Sequence, residues 1–153
     1  MKNRVTIARA LKEKNRIAGR LAKARDLVAQ ENSQDIKVPR GVDVAAMYAS
    51  SKVFCKRLVE TKTAIALANQ PIVGKIIELD EIKSEISYLG RLDVKEGVFV
   101  SESYNNTVTK ECTAVITKQQ VVDEIEKLQF RADRLQDEID EFNALTKVEI
   151  DVG

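Results

Sequence analysis

The feature that most constrains the fold is a run of apolar residues near the carboxyl end that alternates spacings of four and three. The run continues over three heptads within residues 119–146, and the positions around it are rich in Asp and Glu. Such spacing places the apolar side chains on one side of a helix, as in a coiled-coil seam or a bundle interior. We therefore predict an acidic heptad helix over 119–146 with a buried seam. The seam residues are Val121, Ile125, Leu128, Ala132, Leu135, Ile139 and Phe142.

Two further stretches show helical periodicity, and their first helices, up to residue 29 and from residue 43 to residue 69, match the last helix in length. Residues 1–29 predict a basic helix, whose regular part begins at about Asn3. Residues 43–92 predict a helical pair that starts at an Asp43 N-cap and is broken at Pro71, which cannot continue a helix. A lone antiparallel hairpin would leave two apolar stripes in water, so at least three helices are expected to pack together.

Between the third and fourth helical segments the apolar period changes from 3.6 to 2, which predicts a β-hairpin over 97–117. Asn105 and Asn106 can supply its turn. A two-residue turn there pairs Val98 with Thr113, whereas a longer loop pairs Val98 with Ile116. Residues 147–152 alternate as a short terminal strand, expected to join this hairpin or the sheet of a neighbouring copy.

These elements predict a single mainly α domain over 1–153. Its expected architecture is an antiparallel helical bundle, or coiled-coil hairpins, with a small inserted β-hairpin and a short C-terminal strand.

The two ends of the chain carry opposite charge. Residues 1–25 hold nine basic side chains and one acid, Glu13, whereas residues 119–151 hold ten acids and four bases. The basic segment needs an anionic partner: an acidic helix of the same chain, an acidic helix of another copy, or nucleic acid. The residues predicted to contact that partner are Arg9, Lys12, Arg16, Arg20 and Lys23.

The composition argues against most site chemistry. The chain has no His, the commonest metal ligand and general base, and its two cysteines, Cys55 and Cys112, are far apart in sequence. We predict reduced thiols, no catalytic, metal or cofactor site, and no small-molecule substrate. No apolar run approaches the roughly 20 residues that span a membrane, and no signal peptide is found, so a cytoplasmic location is expected.

From about residue 58 to residue 150 the chain resembles the septicolysin-like family of small bacterial and phage proteins. The resemblance is carried by the runs Leu67–Ile72, Ile77–Lys83 and Val121–Thr146. It brings no catalytic motif, and the haemolysis that the family name implies has no membrane-active segment here to support it. The phage members of the family imply a virion or assembly role.

The sequence therefore predicts a non-enzymatic structural or assembly protein that oligomerises, with itself or with other virion proteins of a phage capsid or tail. Localisation in the virion follows if the gene belongs to a phage. The alternative is a nucleic-acid-binding protein that uses the basic N-terminal helix.

Overall fold

The computed structural model describes residues 2–103 and 106–152. As predicted, the fold of these residues is mainly α, with helices in packed pairs and two small antiparallel sheets of two strands each. The elements are β1 (Lys2–Thr6), α1 (Ile7–Glu31), α2 (Val44–Ala68), α3 (Val73–Leu89), β2 (Gly97–Ser103), β3 (Asn106–Cys112), α4 (Lys118–Leu145) and β4 (Lys147–Asp151). The contacts divide the chain into unit 1, Met1–Val73 with Asp140–Gly153, and unit 2, Gly74–Ile139.

The first residues form a strand, so the prediction of a helix from about Asn3 is wrong at its start. β1 pairs antiparallel with β4, and Val5 lies opposite Val148. Thr6 ends the strand in an extended conformation, and its hydroxyl accepts a hydrogen bond from the backbone N–H of Arg9, which caps α1. The pairing also corrects the prediction for the terminal strand, which joins neither the hairpin nor a neighbour but the amino end of its own chain.

Opposite charges face each other across this sheet and favour its register. Lys2 lies opposite Asp151 and Arg4 lies opposite Glu149, on the polar face of the two strands. Opposite-charge pairs directly across a sheet are stabilising. The other face is apolar and buries Val5, Val148 and Ile150.

Unit 1 has a continuous apolar core. α1 packs along α2, and α2 also contacts β4. Ile65 of α2 is buried in one cluster with residues from both ends of the chain, which are therefore held together by apolar packing as well as by strand pairing. The buried members of the cluster are Val5, Ile7, Ala10, Ile65, Val148 and Ile150.

The break between α2 and α3 lies at the proline. The carboxylate of Asp43 accepts from the N–H of Ala46 and caps the start of α2, which ends at Ala68. Pro71 then lies in a 3₁₀ turn, Gln70–Ile72, directly before α3. A proline is tolerated there because the first N–H groups of a helix have no helical partner.

In unit 2, α3 and α4 run antiparallel. Lys75, near the start of α3, pairs with Glu138 near the end of α4, and Glu78 one turn later pairs with Arg131. In sequence, the β2–β3 hairpin connects α3 to α4.

Neither predicted register of the hairpin is correct, since Val98 lies opposite Glu111. β3 ends at Cys112, so Ala114 to Ile116 belongs to no strand, and Val115 is 96% exposed. Asn106, expected in the turn, is the first residue of β3 and lies opposite Ser103, while Asn105 is outside the described residues. Gly97 begins β2 with a φ of 108°, a left-handed conformation that favours glycine.

Candidate interaction surfaces

Five basic side chains form a stripe along one face of α1, here called the basic stripe. Their spacings of three, four, four and three residues place them within an arc of about 80° on a helix of 3.6 residues per turn. The stripe covers 15 residues, and its ends are 14 steps or about 21 Å apart at 1.5 Å per residue. All five residues are exposed, and they are Arg9, Lys12, Arg16, Arg20 and Lys23. The structure thus brings the predicted partner-binding residues together on one surface.

The helix that packs along α1 is itself basic. α2 carries Lys52, Lys56, Arg57 and Lys62 against a single acid, Glu60. An acidic helix of the same chain was one of the partners considered for the basic segment, and the helix pair of unit 1 does not provide it. The basic stripe and α2 therefore add to the same positive field rather than cancelling each other.

Beneath the basic stripe lies a network of ion pairs that sequence reasoning missed. The side chain of Glu13 is only 8% exposed, and its carboxylate accepts two hydrogen bonds from Arg16, at 2.7 and 2.8 Å. Arg57 of α2 lies 3.6 Å from the same carboxylate and donates to the backbone carbonyl of Asp151 at 3.1 Å. One arginine thus connects α1, α2 and β4.

The signal for this network was present in the sequence. Glu13 is the one acid among residues 1–25, and it lies on the buried face of α1 between Ala10 and Ile17. A buried carboxylate needs a cationic partner, because leaving it unpaired in a low dielectric is costly. Since α2 offers several cations, only the fold identifies Arg57 as that partner.

The apolar seam of α4 faces the interior of the chain. Four of its residues are buried, Val121, Ala132, Leu135 and Ile139, and Leu135 has no exposed surface. The other three, Ile125, Leu128 and Phe142, are only partly buried, whereas the sequence predicts a buried seam at all seven positions. Contacts within the chain thus occupy much of the seam, and the opposite side of α4 faces solvent.

Ion pairs across the α3–α4 hairpin shift the acidity of two carboxyl groups. The guanidinium of Arg131 donates to both carboxylate oxygens of Glu78, at 2.8 and 3.0 Å, and this hydrogen bonding lowers the pKa of Glu78. A hydrogen bond from Lys75 likewise lowers the pKa of Glu138. Both pairs are solvent-exposed, so they align the two helices without contributing much stability.

Charge is segregated between the two units. Unit 1 contains 16 basic and 10 acidic residues, whereas unit 2 contains 9 basic and 14 acidic ones. The resulting charges of +6 and −5 add up to the +1 of the whole chain. The near-neutral total therefore conceals two oppositely charged regions.

At the connected end of the α1–α2 hairpin lies an open cavity of about 730 Å³ with a largely apolar lining that includes Val28, Val44 and Tyr48. The charged side chains that line the cavity already form hydrogen bonds to the ends of the helices. Arg40 donates to the carbonyl groups of Glu31 and Asn32 at the end of α1, and the carboxylate of Asp43 caps α2. These groups stabilise the connection between the helices.

Within 2–103 and 106–152, no group of His, Cys, Asp and Glu is arranged to hold a metal ion. None of the described helices is both long and apolar enough to cross a membrane. Cys55 and Cys112 are free, half-buried thiols.

No family model, curated protein or solved structure matches this chain.

Proposed function

We propose that this protein is a non-enzymatic structural or assembly protein that associates with other copies of itself. The observation that carries the proposal is the segregation of charge into a unit of +6 and a unit of −5. Two copies placed with unlike units together attract each other, whereas like units repel. Self-association with a defined orientation is the simplest use of such a molecule.

Apolar surface supports the same proposal. The β2–β3 hairpin exposes Val98 and Val100 on one face and Phe99 and Val108 on the other. A two-stranded hairpin with neither face covered is marginally stable in water. A neighbouring copy that covers one face would stabilise it.

The biological setting of the proposal rests on resemblance. From the sequence pattern alone, we propose that residues 58–150 resemble septicolysin-like proteins, whose phage members imply a virion or assembly role. A part in building a capsid or tail fits a chain that associates through charge and contains long helices. Its place would then be the virion, or the cytoplasm of the host before assembly.

Sedimentation velocity over a range of protein concentrations tests the proposal. At low salt the average mass should rise above the 17.1 kDa of one chain as concentration increases. It should fall back toward that mass in about 0.5 M salt, because screening shortens the reach of exposed charges to a few ångströms. A particle that stays monomeric at every concentration and at low salt would sink the proposal.

The second candidate is nucleic-acid binding through the basic stripe, favoured by the basic character of the helix that packs beside it. The stripe contains no aromatic side chain, so contacts to phosphates without base stacking are expected. Four to five phosphate contacts to duplex DNA give a slope of about −4 in a plot of log affinity against log salt. Fluorescence anisotropy with duplex and single-stranded DNA measures this slope, and no binding at low salt rejects the candidate.

A further inference from the structure

The solvent face of α4 carries a second charged stripe, here called the acidic stripe. Asp123, Glu126, Asp133 and Asp137 lie on it with Phe130 at the centre, at spacings of three, four, three and four residues. All five are exposed, and Phe130 is 67% exposed. The stripe lies opposite the apolar seam of the same helix and covers 15 residues, so its ends are about 21 Å apart.

The four carboxylates of the acidic stripe are exposed to a cationic partner. Within the described residues, none of the four takes part in an ion pair. Asp123 and Asp133 accept hydrogen bonds only from the neutral amides of Gln119 and Gln129, at 2.7 and 2.9 Å. Phe130 lies beside Asp123, Glu126 and Lys127 in the same shallow surface depression, and Lys127 pairs with Glu124 of the same helix. An exposed aromatic ring flanked by acids that form no ion pair suits a basic helix with an arginine at its centre.

The basic stripe of α1 has those properties. It too covers 15 residues, and Arg16 lies at its midpoint. Within the described part of the chain, the side chains of Arg9, Lys12, Arg20 and Lys23 take part in no ion pair, whereas Arg16 is held by Glu13. Both stripes are exposed faces of regular helices, so each presents its charges at fixed spacing.

The positions of the two stripes align one to one when the helices run antiparallel, and each aligned pair is here called a rung. Counted from one end, the basic positions fall at 0, 3, 7, 11 and 14, and the reversed acidic positions fall at 0, 4, 7, 11 and 14. This alignment places the guanidinium of Arg16 over the ring of Phe130, a favourable cation–π arrangement. The rungs are Arg9 with Asp137, Lys12 with Asp133, Arg16 with Phe130, Arg20 with Glu126, and Lys23 with Asp123.

Building on the proposed self-association, we infer that the acidic stripe of one copy docks antiparallel on the basic stripe of the next. The contact is heterologous, since each copy uses two different surfaces. Each added copy therefore presents a new acidic stripe, and the assembly grows into a ring or a filament. A contact between two helix faces about 21 Å long is small, so each junction is weak and sensitive to salt.

Two variants that each remove one stripe test the inference. The first replaces Arg9, Lys12, Arg20 and Lys23 with Gln and leaves Arg16 in place because it holds Glu13. The second changes Asp123, Asp133 and Asp137 to Asn and Glu126 to Gln. Each variant alone should sediment as a monomer at low salt, where the parent assembles. Circular dichroism checks that the helices are retained.

An equimolar mixture of the two variants is the decisive sample. The first keeps its acidic stripe and the second keeps its basic stripe, so together they form one junction and no more. The expected species is a 1:1 complex of twice the monomer mass that does not grow with concentration. A matched control changes Lys37, Lys52, Lys56 and Lys62 to Gln, removing equal charge elsewhere, and should assemble like the parent.

The outcomes separate this inference from the proposed function. If the parent assembles and either stripe variant assembles equally well, the inference is overturned and self-association stands. A mixture that stays monomeric also overturns it. If only the basic variant loses assembly, and loses DNA binding with it, the stripe serves nucleic acid. A parent that never assembles overturns both proposals.

Discussion

Units 1 and 2 each combine an antiparallel helix pair with a two-stranded sheet, yet they cover these sheets differently. The β1–β4 sheet of unit 1 buries Val5, Val148 and Ile150 on one face. The β2–β3 hairpin of unit 2 leaves Val98 and Val100 more than half exposed. Strand pairing alone therefore does not determine how stable such a sheet is, and helix packing makes the difference.

The two sheets also differ in how far apart their strands are in sequence. β1 and β4 come from the two ends of the chain, so their pairing closes a loop of nearly the whole protein at a cost in entropy. β2 and β3 are neighbours in sequence and pair locally. The apolar core beneath the β1–β4 sheet offsets the entropy cost of closing this long loop. The local β2–β3 hairpin forms with less buried apolar surface.

The largest expected effect is in the core of unit 1. Ile7 has no exposed surface and joins the cluster that holds both chain ends. Ile7→Ala should lower the free energy of unfolding by about 4 kcal/mol, and Ile7→Val by about 1 kcal/mol. Urea denaturation followed by circular dichroism measures both. A loss below about 1 kcal/mol for the alanine variant would place Ile7 outside the core.

Unit 2 should respond less, because fewer of its described apolar side chains are buried than in unit 1. α3 and α4 leave a groove of about 210 Å³ between them, lined by Leu79, Ile86 and Ala132. Leu135→Ala, at a fully buried seam position, should cost about 3 kcal/mol, and Leu128→Ala, at a half-buried one, about half of that. Equal losses at the two positions would contradict the difference in burial.

The arginine that connects three elements of unit 1 should have an intermediate effect. Arg57→Met leaves the carboxylate of Glu13 with Arg16 as its remaining cation and should cost about 2 kcal/mol. Adding Glu13→Leu removes the buried charge and should restore much of the stability. Thermal melts of the two variants test this, and a double variant no more stable than Arg57→Met would show that the loss is one of packing.

Matched substitutions in the two sheets test the comparison directly. Val148→Thr places a hydroxyl group in the core of unit 1 and should cost about 1.5 kcal/mol. Val100→Thr alters an exposed position and should change stability by less than about 0.5 kcal/mol. Native-state hydrogen exchange should likewise protect β1 and β4 more than β2 and β3. Similar protection in both sheets would remove the proposed distinction.

The smallest effect concerns pH and unit 2. Arg131 holds the pKa of Glu78 below its ordinary value of 4.5, so Glu78 binds a proton more readily in the unfolded chain. The stabilisation is present above pH 4.5 and is lost as pH falls through the lower folded pKa. Carboxyl resonances followed by NMR should show Glu78 titrating below 4.5, and Arg131→Gln should raise its pKa toward that value. An unchanged titration in the variant would mean that the pair does not form in solution.

The helices could be predicted because their signals are local. The seam of α4, the Asp43 cap of α2 and the break at Pro71 each depend on residues within one or two turns of each other. The five residues of the basic stripe could be named in advance for the same reason, since spacings of three and four share a helix face. Their role in binding stays a prediction.

The strands were predicted less well than the helices. The residues of β1 directly precede a helical pattern, so the sequence predicts them as its first turn. Only their pairing with β4 identifies them as a strand. Two hairpin registers considered from the sequence were both wrong, because the stretch Cys112 to Ile116 is richer in β-forming residues than the strand that pairs. Strand pairing depends on the partner strand, and the sequence of one strand does not identify that partner.

By itself, then, the sequence determined the helices, their apolar faces and the opposite charges of the two ends, since each follows from residue spacing and type. Only the tertiary structure decided that the chain ends pair as β1 and β4, that Glu13 is buried beside Arg57, and that the basic α1 packs on α2, which is also basic. Those outcomes join residues far apart in sequence, and they depend on which surfaces exclude water together.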